Sequence, residues 1–207
     1  PAGPGWLGQM APDNTNPSWE RLADGLVNGI EEPIHLWIQE TFSQEQSRAY
    51  MKRLDGAGSA MAWSVIDHHL RSIGPEHLKE LAKLQEEYSR LDARANGIAH
   101  AEPHIQLAFY RAYPWAHTAH TGLLAFAKAE LEDGRGQSAY SAFQDILGHS
   151  ADPALRKQAQ VGLWVAMAMD EHFGELAASI AAATGDETYP WLEGQATAKD
   201  IHNRLLQ

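Results

Sequence analysis

The sequence contains no cysteine among its 207 residues. Disulfide bonds, thiolate nucleophiles and cysteine-ligated metal sites are therefore excluded. The same absence is compatible with the cytoplasm, which is the compartment we expect, and with the periplasm if the chain is a processed form.

Basic residues are few, because 16 lysines and arginines stand against 27 acidic residues and give a net charge of -11. Nucleic acids and anionic membrane surfaces attract basic patches, so this balance disfavours both as partners. The sequence has no run of about 18 apolar residues, so it predicts no membrane-spanning helix. The N-terminus also lacks the basic and apolar segments that are typical of a signal peptide.

Valine is scarce, whereas alanine supplies about one residue in six, a balance that favours helix over sheet. No segment shows an alternation of apolar and polar residues bounded by turn residues, as a half-buried strand would. The sequence predicts an all-α protein with about ten helices, arranged as antiparallel hairpins.

The chain divides by composition into three regions. Residues 1–16, rich in proline, glycine and asparagine, predict an irregular arm. Residues 17–97 predict a helical N-terminal region, which includes a helix between Ala60 and Ile73, and residues 98–207 predict a repeat-like region. We expect the last segment, from Tyr189, to form a helix that closes the array. One continuous domain over residues 17–207 stays open as the alternative.

The clearest pattern lies between Leu123 and Ala183. An apolar face with helical spacing runs to Leu131, and Gly134 and Gly136 then interrupt it. A second helix follows, and Asp152 before Pro153 predicts the start of a third, because an aspartate N-cap and a proline at the first helical position favour helix initiation.

This pattern resembles the tetratricopeptide repeat, a family of paired helices. The residues that carry the likeness are Ala127, Gly134, Ala139, Phe143 and Pro153, with the proline displaced by a residue or two. The following unit departs further from the family pattern and has a longer period. Its loosely matching positions are Gly162, Trp164, Ala166 and Ala177, whereas Gly174 lies nearer the second helix than the family pattern has its glycine.

The resemblance implies an α-solenoid in which the first helix of each pair lines a concave surface for a protein or peptide partner. The positions of this sequence that would face the partner are Thr121, Leu124, Lys128, Leu131 and Glu132. Our leading hypothesis is accordingly a protein without catalytic activity, with a scaffold or assembly role. Association into an oligomer stays open.

Eleven histidines supply the competing hypothesis. Four of them cluster in the sequence, at His100, His104, His117 and His120. His117 and His120 are three residues apart after Pro114, so they share a helix face and are candidate ligands for a divalent metal such as zinc. On this reading the chain is a helical bundle with a metal or small-ligand site, and any catalysis would be hydrolysis by metal-bound water. The alternative is that these histidines make ordinary hydrogen bonds at helix ends.

Overall fold

A computed structural model describes residues 12–54, 64, 66–68, 71, 75–183 and 185–207. Residues 1–11 of the predicted arm lie outside the described residues, as does most of the helix predicted between Ala60 and Ile73. The described residues fall into two compact units. One unit comprises the described residues up to 93 together with 111–116, and the other comprises the described residues among 94–110 and 117–207. The predicted division of the chain after Gly97 stays a prediction.

The first unit is built from four described helices. These are α1 (Pro12–Asn28), α2 (Glu31–Thr41), α3 (Gln44–Leu54) and α4 (Pro75–Leu91). Its core centres on Trp19, Trp37 and Trp115, which are all buried. Gln85 is buried beside them, and its Oε1 accepts a hydrogen bond of 3.1 Å from the backbone N–H of Trp115.

The second unit contains the repeat-like segment. After a 3₁₀ turn at Ile98–His100 come α5 (Pro103–Ala112, of which residues 103–110 belong to this unit), α6 (His117–Glu132), α7 (Gly136–His149), α8 (Pro153–Met169) and α9 (Phe173–Ala182). Strands β1 (Thr188–Trp191) and β2 (Gly194–Thr197) then form an antiparallel hairpin, and α10 (Ala198–Leu205) ends the chain. Helices α6, α7 and α8 pack against one another, α8 also packs against α9 and β1, and α10 packs against α9 and the hairpin.

Local signals in the sequence account for several helix boundaries. Asp152 caps α8 as predicted, because its Oδ1 accepts from the N–H groups of Ala154 and Leu155 at 2.9 and 3.2 Å. Gly134 ends the turn after α6 with a φ of 76°, a conformation that glycine adopts without steric cost. At both positions the identity of a single residue determines the local backbone conformation.

The all-α class is confirmed, since the only sheet in the described residues is the two-stranded hairpin. Neighbouring helices pack closely, which is compatible with a helical repeat. None of the helices that the structure describes has the length and apolarity needed to cross a bilayer.

Two boundary predictions are wrong. Helix α1 begins at Pro12, inside the segment predicted as an irregular arm, and proline's fixed φ suits a first helical position. The C-terminal segment from Tyr189 was predicted as one helix, but residues 188–197 form the hairpin and only 198–205 are helical. Its strands carry threonine, tyrosine and tryptophan, which fit a pleated surface better than a helix.

Candidate functional site

The predicted partner-binding residues all lie on α6. Thr121, Lys128 and Glu132 are separated by seven and four residues, so they fall within about 40° of one another around the helix axis. Lys128 and Glu132 are exposed and Thr121 is half-buried. The Thr121 hydroxyl donates a 2.7 Å hydrogen bond to the carbonyl of Thr118 within the helix. These three residues form a polar stripe along the solvent side of α6.

The two predicted apolar contacts lie at the edge of this stripe. The side chain of Leu124 is buried, with 7% of the residue exposed, and Leu131 is half-buried. Most of the surface of Leu124 therefore contacts other residues of the protein. The structure thus brings together the polar members of the predicted set at the surface and directs the leucines toward the core.

Lys128 connects α6 to α8. Its Nζ donates a 3.0 Å hydrogen bond to Oε1 of Gln158, thirty residues further along the chain. On α8, Gln158 shares one side with Val161 and Val165 at the i, i+3, i+7 spacing, and all three are half-buried. The polar stripe of α6 is consequently continuous with a partly apolar stripe of α8. We call these six residues the α6–α8 surface: Thr121, Lys128, Glu132, Gln158, Val161 and Val165.

An ion pair between a buried carboxylate and an exposed arginine lies at the turn between α6 and α7. The Glu130 side chain is 7% exposed, and Arg135 donates to both of its carboxylate oxygens at 2.6 and 2.7 Å. These hydrogen bonds, with a further one from Ser138, lower the pKa of Glu130 against the opposing effect of burial. Asp133 also accepts from Arg135 at 2.6 Å. Both carboxylates in turn raise the pKa of Arg135, so the guanidinium stays charged.

The four clustered histidines have different environments. His100 and His104 are exposed, and Nδ1 of His117 lies 3.7 Å from Oδ2 of Asp152. His120 is buried, and its ring centroid lies 6.3 Å from that of Tyr110. Among the residues described, no three or more histidine, aspartate or glutamate side chains gather closely enough to hold a metal ion. The described geometry gives the metal hypothesis no supporting observation.

Tyr110 and His149 form a polar contact inside the second unit that the sequence did not indicate. Nδ1 of His149 lies 2.9 Å from the carbonyl oxygen of Asp145 and 3.2 Å from the hydroxyl oxygen of Tyr110. A carbonyl oxygen only accepts, so a hydrogen bond to Asp145 requires the proton on Nδ1 of His149. The contact joins α5 to the end of α7.

No family model matches the chain, and no curated protein or solved structure is significantly similar to it. The likeness to the tetratricopeptide repeat therefore depends on the quoted residues and on the packing of consecutive helices.

Proposed function

We propose that this chain is a non-catalytic, tetratricopeptide-like repeat protein that binds another protein or a peptide in a scaffold or assembly role. Helices α6 and α7 are the first pair on this proposal, and α8 and α9 are the second. The first helices of the two pairs, α6 and α8, pack against each other. This is the arrangement in which consecutive first helices line a shared binding surface.

The observation that carries the proposal is the hydrogen bond between Lys128 and Gln158. Because it spans α6 and α8, the exposed positions of the two helices make one surface, with a cation, an anion and two half-buried valines. Recognition surfaces commonly combine apolar contact area with a few charged groups that fix orientation. The α6–α8 surface has this mixture.

The charge of the chain restricts the partner. A net charge of -11 repels acidic molecules at long range. We expect a partner that is neutral or basic where it contacts the α6–α8 surface, pairing with Glu132 and covering Val161 and Val165.

The test is the double charge reversal Lys128→Glu with Glu132→Lys, which leaves the net charge unchanged. Wild-type and variant proteins are used as bait, captured proteins are identified by mass spectrometry, and the affinity of the recovered partner is measured by calorimetry. We expect the variant to bind at least about tenfold more weakly, since a close charge pair at an interface is worth about 1.5 kcal/mol or more.

The matched control is Glu193→Lys with Arg204→Glu, which reverses two exposed charges elsewhere in the second unit. It should bind like the wild type. A well-folded Lys128 and Glu132 double variant that captures the same partner with unchanged affinity would refute the assignment of this surface.

A further inference from the structure

A cavity of about 450 Å³ opens beside the N-terminal half of α8. Leu147 and Pro153 contribute apolar walls, and the polar groups come from Arg156, Lys157, Gln160, Glu187 and Tyr189. This volume falls in the range of small-molecule sites. None of the six residues of the α6–α8 surface lines the cavity.

Arg156 is held in one orientation at this cavity. Its Nη1 donates to the carbonyl oxygens of Leu147 and Ser150 at 2.5 and 3.0 Å, which are among the last acceptors of α7. Among the described residues no carboxylate lies within ion-pair distance of Arg156, and its Nε and Nη2 have no described partner. The two carbonyls fix the guanidinium of Arg156 without neutralising its positive charge. Its Nε and Nη2 can then donate to a planar acceptor.

The positive charge of Lys157, the second cation of the cavity, is balanced by the carboxylate of Glu187. Nζ of Lys157 lies 3.3 Å from Oε1 of Glu187, donates a 2.8 Å hydrogen bond to the carbonyl of Thr188, and lies 5.5 Å from the centre of the Tyr189 ring. The Tyr189 hydroxyl donates to Oε2 of Glu187 at 3.2 Å. Burial, and then the charge of Glu187, raise the pKa of Tyr189, so the phenol remains a neutral donor.

The charged side chains at this cavity therefore sum to a positive value in a protein whose net charge is -11. We infer that the cavity is a binding site for a carboxylate attached to a small apolar group. The carboxylate pairs with the open donors of Arg156, and the apolar group lies against Leu147 and Pro153. Both a free organic acid and the C-terminus of a peptide have this chemistry.

The experiment titrates the ¹⁵N-labelled full chain with four probes and follows amide shifts by NMR. The probes are benzoate, its neutral analogue benzamide, the peptide N-acetyl-Ala-Ala-Leu with a free carboxyl end, and the same peptide as its C-terminal amide. We expect the acids to shift amides at 153–157 and 187–189, and the neutral analogues to leave them unchanged.

The two acids distinguish the source of the carboxylate. Shifts with benzoate alone support a free organic acid, and shifts with the peptide acid, with or without benzoate, support a chain end. Equal shifts with the acids and their neutral analogues overturn the proposal, as do acid-induced shifts centred on other parts of the chain.

Substitution of the guanidinium supplies the second test. Arg156→Gln should weaken binding of the responding acid at least about tenfold, as loss of a charge-assisted hydrogen bond does. The control Arg204→Gln, at an exposed position of α10, should bind as the wild type does. Arg156→Lys keeps the charge without the planar fork and should show an intermediate loss.

Arg156 also bonds to the end of α7, so thermal unfolding of each variant is measured in parallel. Should Arg156→Gln not fold, Lys157→Met reports instead, since it leaves the charge of Glu187 uncompensated and weakens binding of an anion. A folded Arg156→Gln or Lys157→Met variant that binds the acid with wild-type affinity overturns the site.

Discussion

Glu130 is a carboxylate with little access to water, and its charge is stabilised by hydrogen bonds from Arg135 and Ser138. Desolvation alone would raise the pKa of such a group, but its hydrogen bonds favour the charged form more strongly. Removing this carboxylate loses both charge-assisted hydrogen bonds, while Arg135, whose side chain is 54% exposed, keeps its bond to Asp133. The pair therefore contributes to stability only while Glu130 is ionised.

We predict that Glu130→Gln lowers the free energy of unfolding at pH 7 by about 1 kcal/mol, because solvent at the exposed Arg135 screens the pair. Because the pKa of Glu130 is lowered in the folded state, its contribution is fully present above the unfolded-state value, about 4.3. The contribution is lost as the pH falls through the folded-state pKa. Denaturant unfolding between pH 7 and pH 3 should show the wild type and the variant converging at acid pH.

The control for this prediction is Glu132→Gln, which removes an exposed carboxylate two residues away on the same helix. Its free energy of unfolding should change by less than about 0.5 kcal/mol. A constant difference between wild type and Glu130→Gln across the whole pH range would contradict the assigned role of the ion pair.

At the scale of the element, the contact between α7 and α8 depends on a residue without a side chain. A Cβ atom added at Gly162 would overlap the ring of Phe143, and both residues are buried. Gly162 therefore permits a close approach of α8 to the aromatic side chain of α7. The two residues were among those that carry the likeness to the tetratricopeptide repeat, and the structure gives them a shared packing role.

We predict that Gly162→Ala destabilises the protein by about 1–3 kcal/mol, since the added methyl group displaces a well-packed aromatic ring. Helix propensity alone predicts the opposite sign, because alanine favours helix by about 1 kcal/mol over glycine. The matched control is Gly174→Ala in α9, where an added Cβ meets no other atom within 4 Å. Chemical denaturation should show the control neutral or slightly stabilised, and a stabilised Gly162→Ala would contradict the close contact.

The sequence predicted elements well where one residue determines the backbone. Asp152 and Pro153 mark the start of α8, and Gly134 marks the turn before α7, because N-cap and left-handed conformations have strong residue preferences. The hairpin was missed because its strands have four residues each and its turn carries Leu192 at a φ of 52°. A leucine in that conformation is uncommon, so no turn signal was present.

The sequence also predicts part of the candidate surface. Helical spacing predicts that Lys128 and Glu132 share a side of α6, and the structure has both exposed. The burial of Leu124 depends on which helices pack around it, which is information from distant parts of the chain. The signal for the Glu130–Arg135 pair was present, since Glu130 interrupts the buried side of α6, but its partner lies across a turn and follows no helical spacing.

At the scale of the whole molecule, the chain crosses between its two compact units more than once. Residues 111–116 belong with the first unit although the residues on both sides of them belong with the second. Trp115 is the large apolar member of this short segment and lies in the core with Trp19 and Trp37. In the second unit Trp164 has the corresponding role, since it is fully buried and donates a 2.8 Å hydrogen bond to Ser179.

We therefore predict that Trp115→Ala and Trp164→Ala destabilise different parts of the chain, each by about 3–5 kcal/mol, because each leaves a large cavity in a separate core. Hydrogen exchange followed amide by amide measures the effect. Trp115→Ala should reduce protection in α1, α2 and α4, while α7 and α8 keep theirs, and Trp164→Ala should do the reverse. If either substitution lowers protection equally in all of these helices, the two units unfold as one cooperative structure. They are then not separate units of stability. Selective loss in each case would establish that a segment of six residues, 111–116, stabilises a core assembled from residues far earlier in the chain.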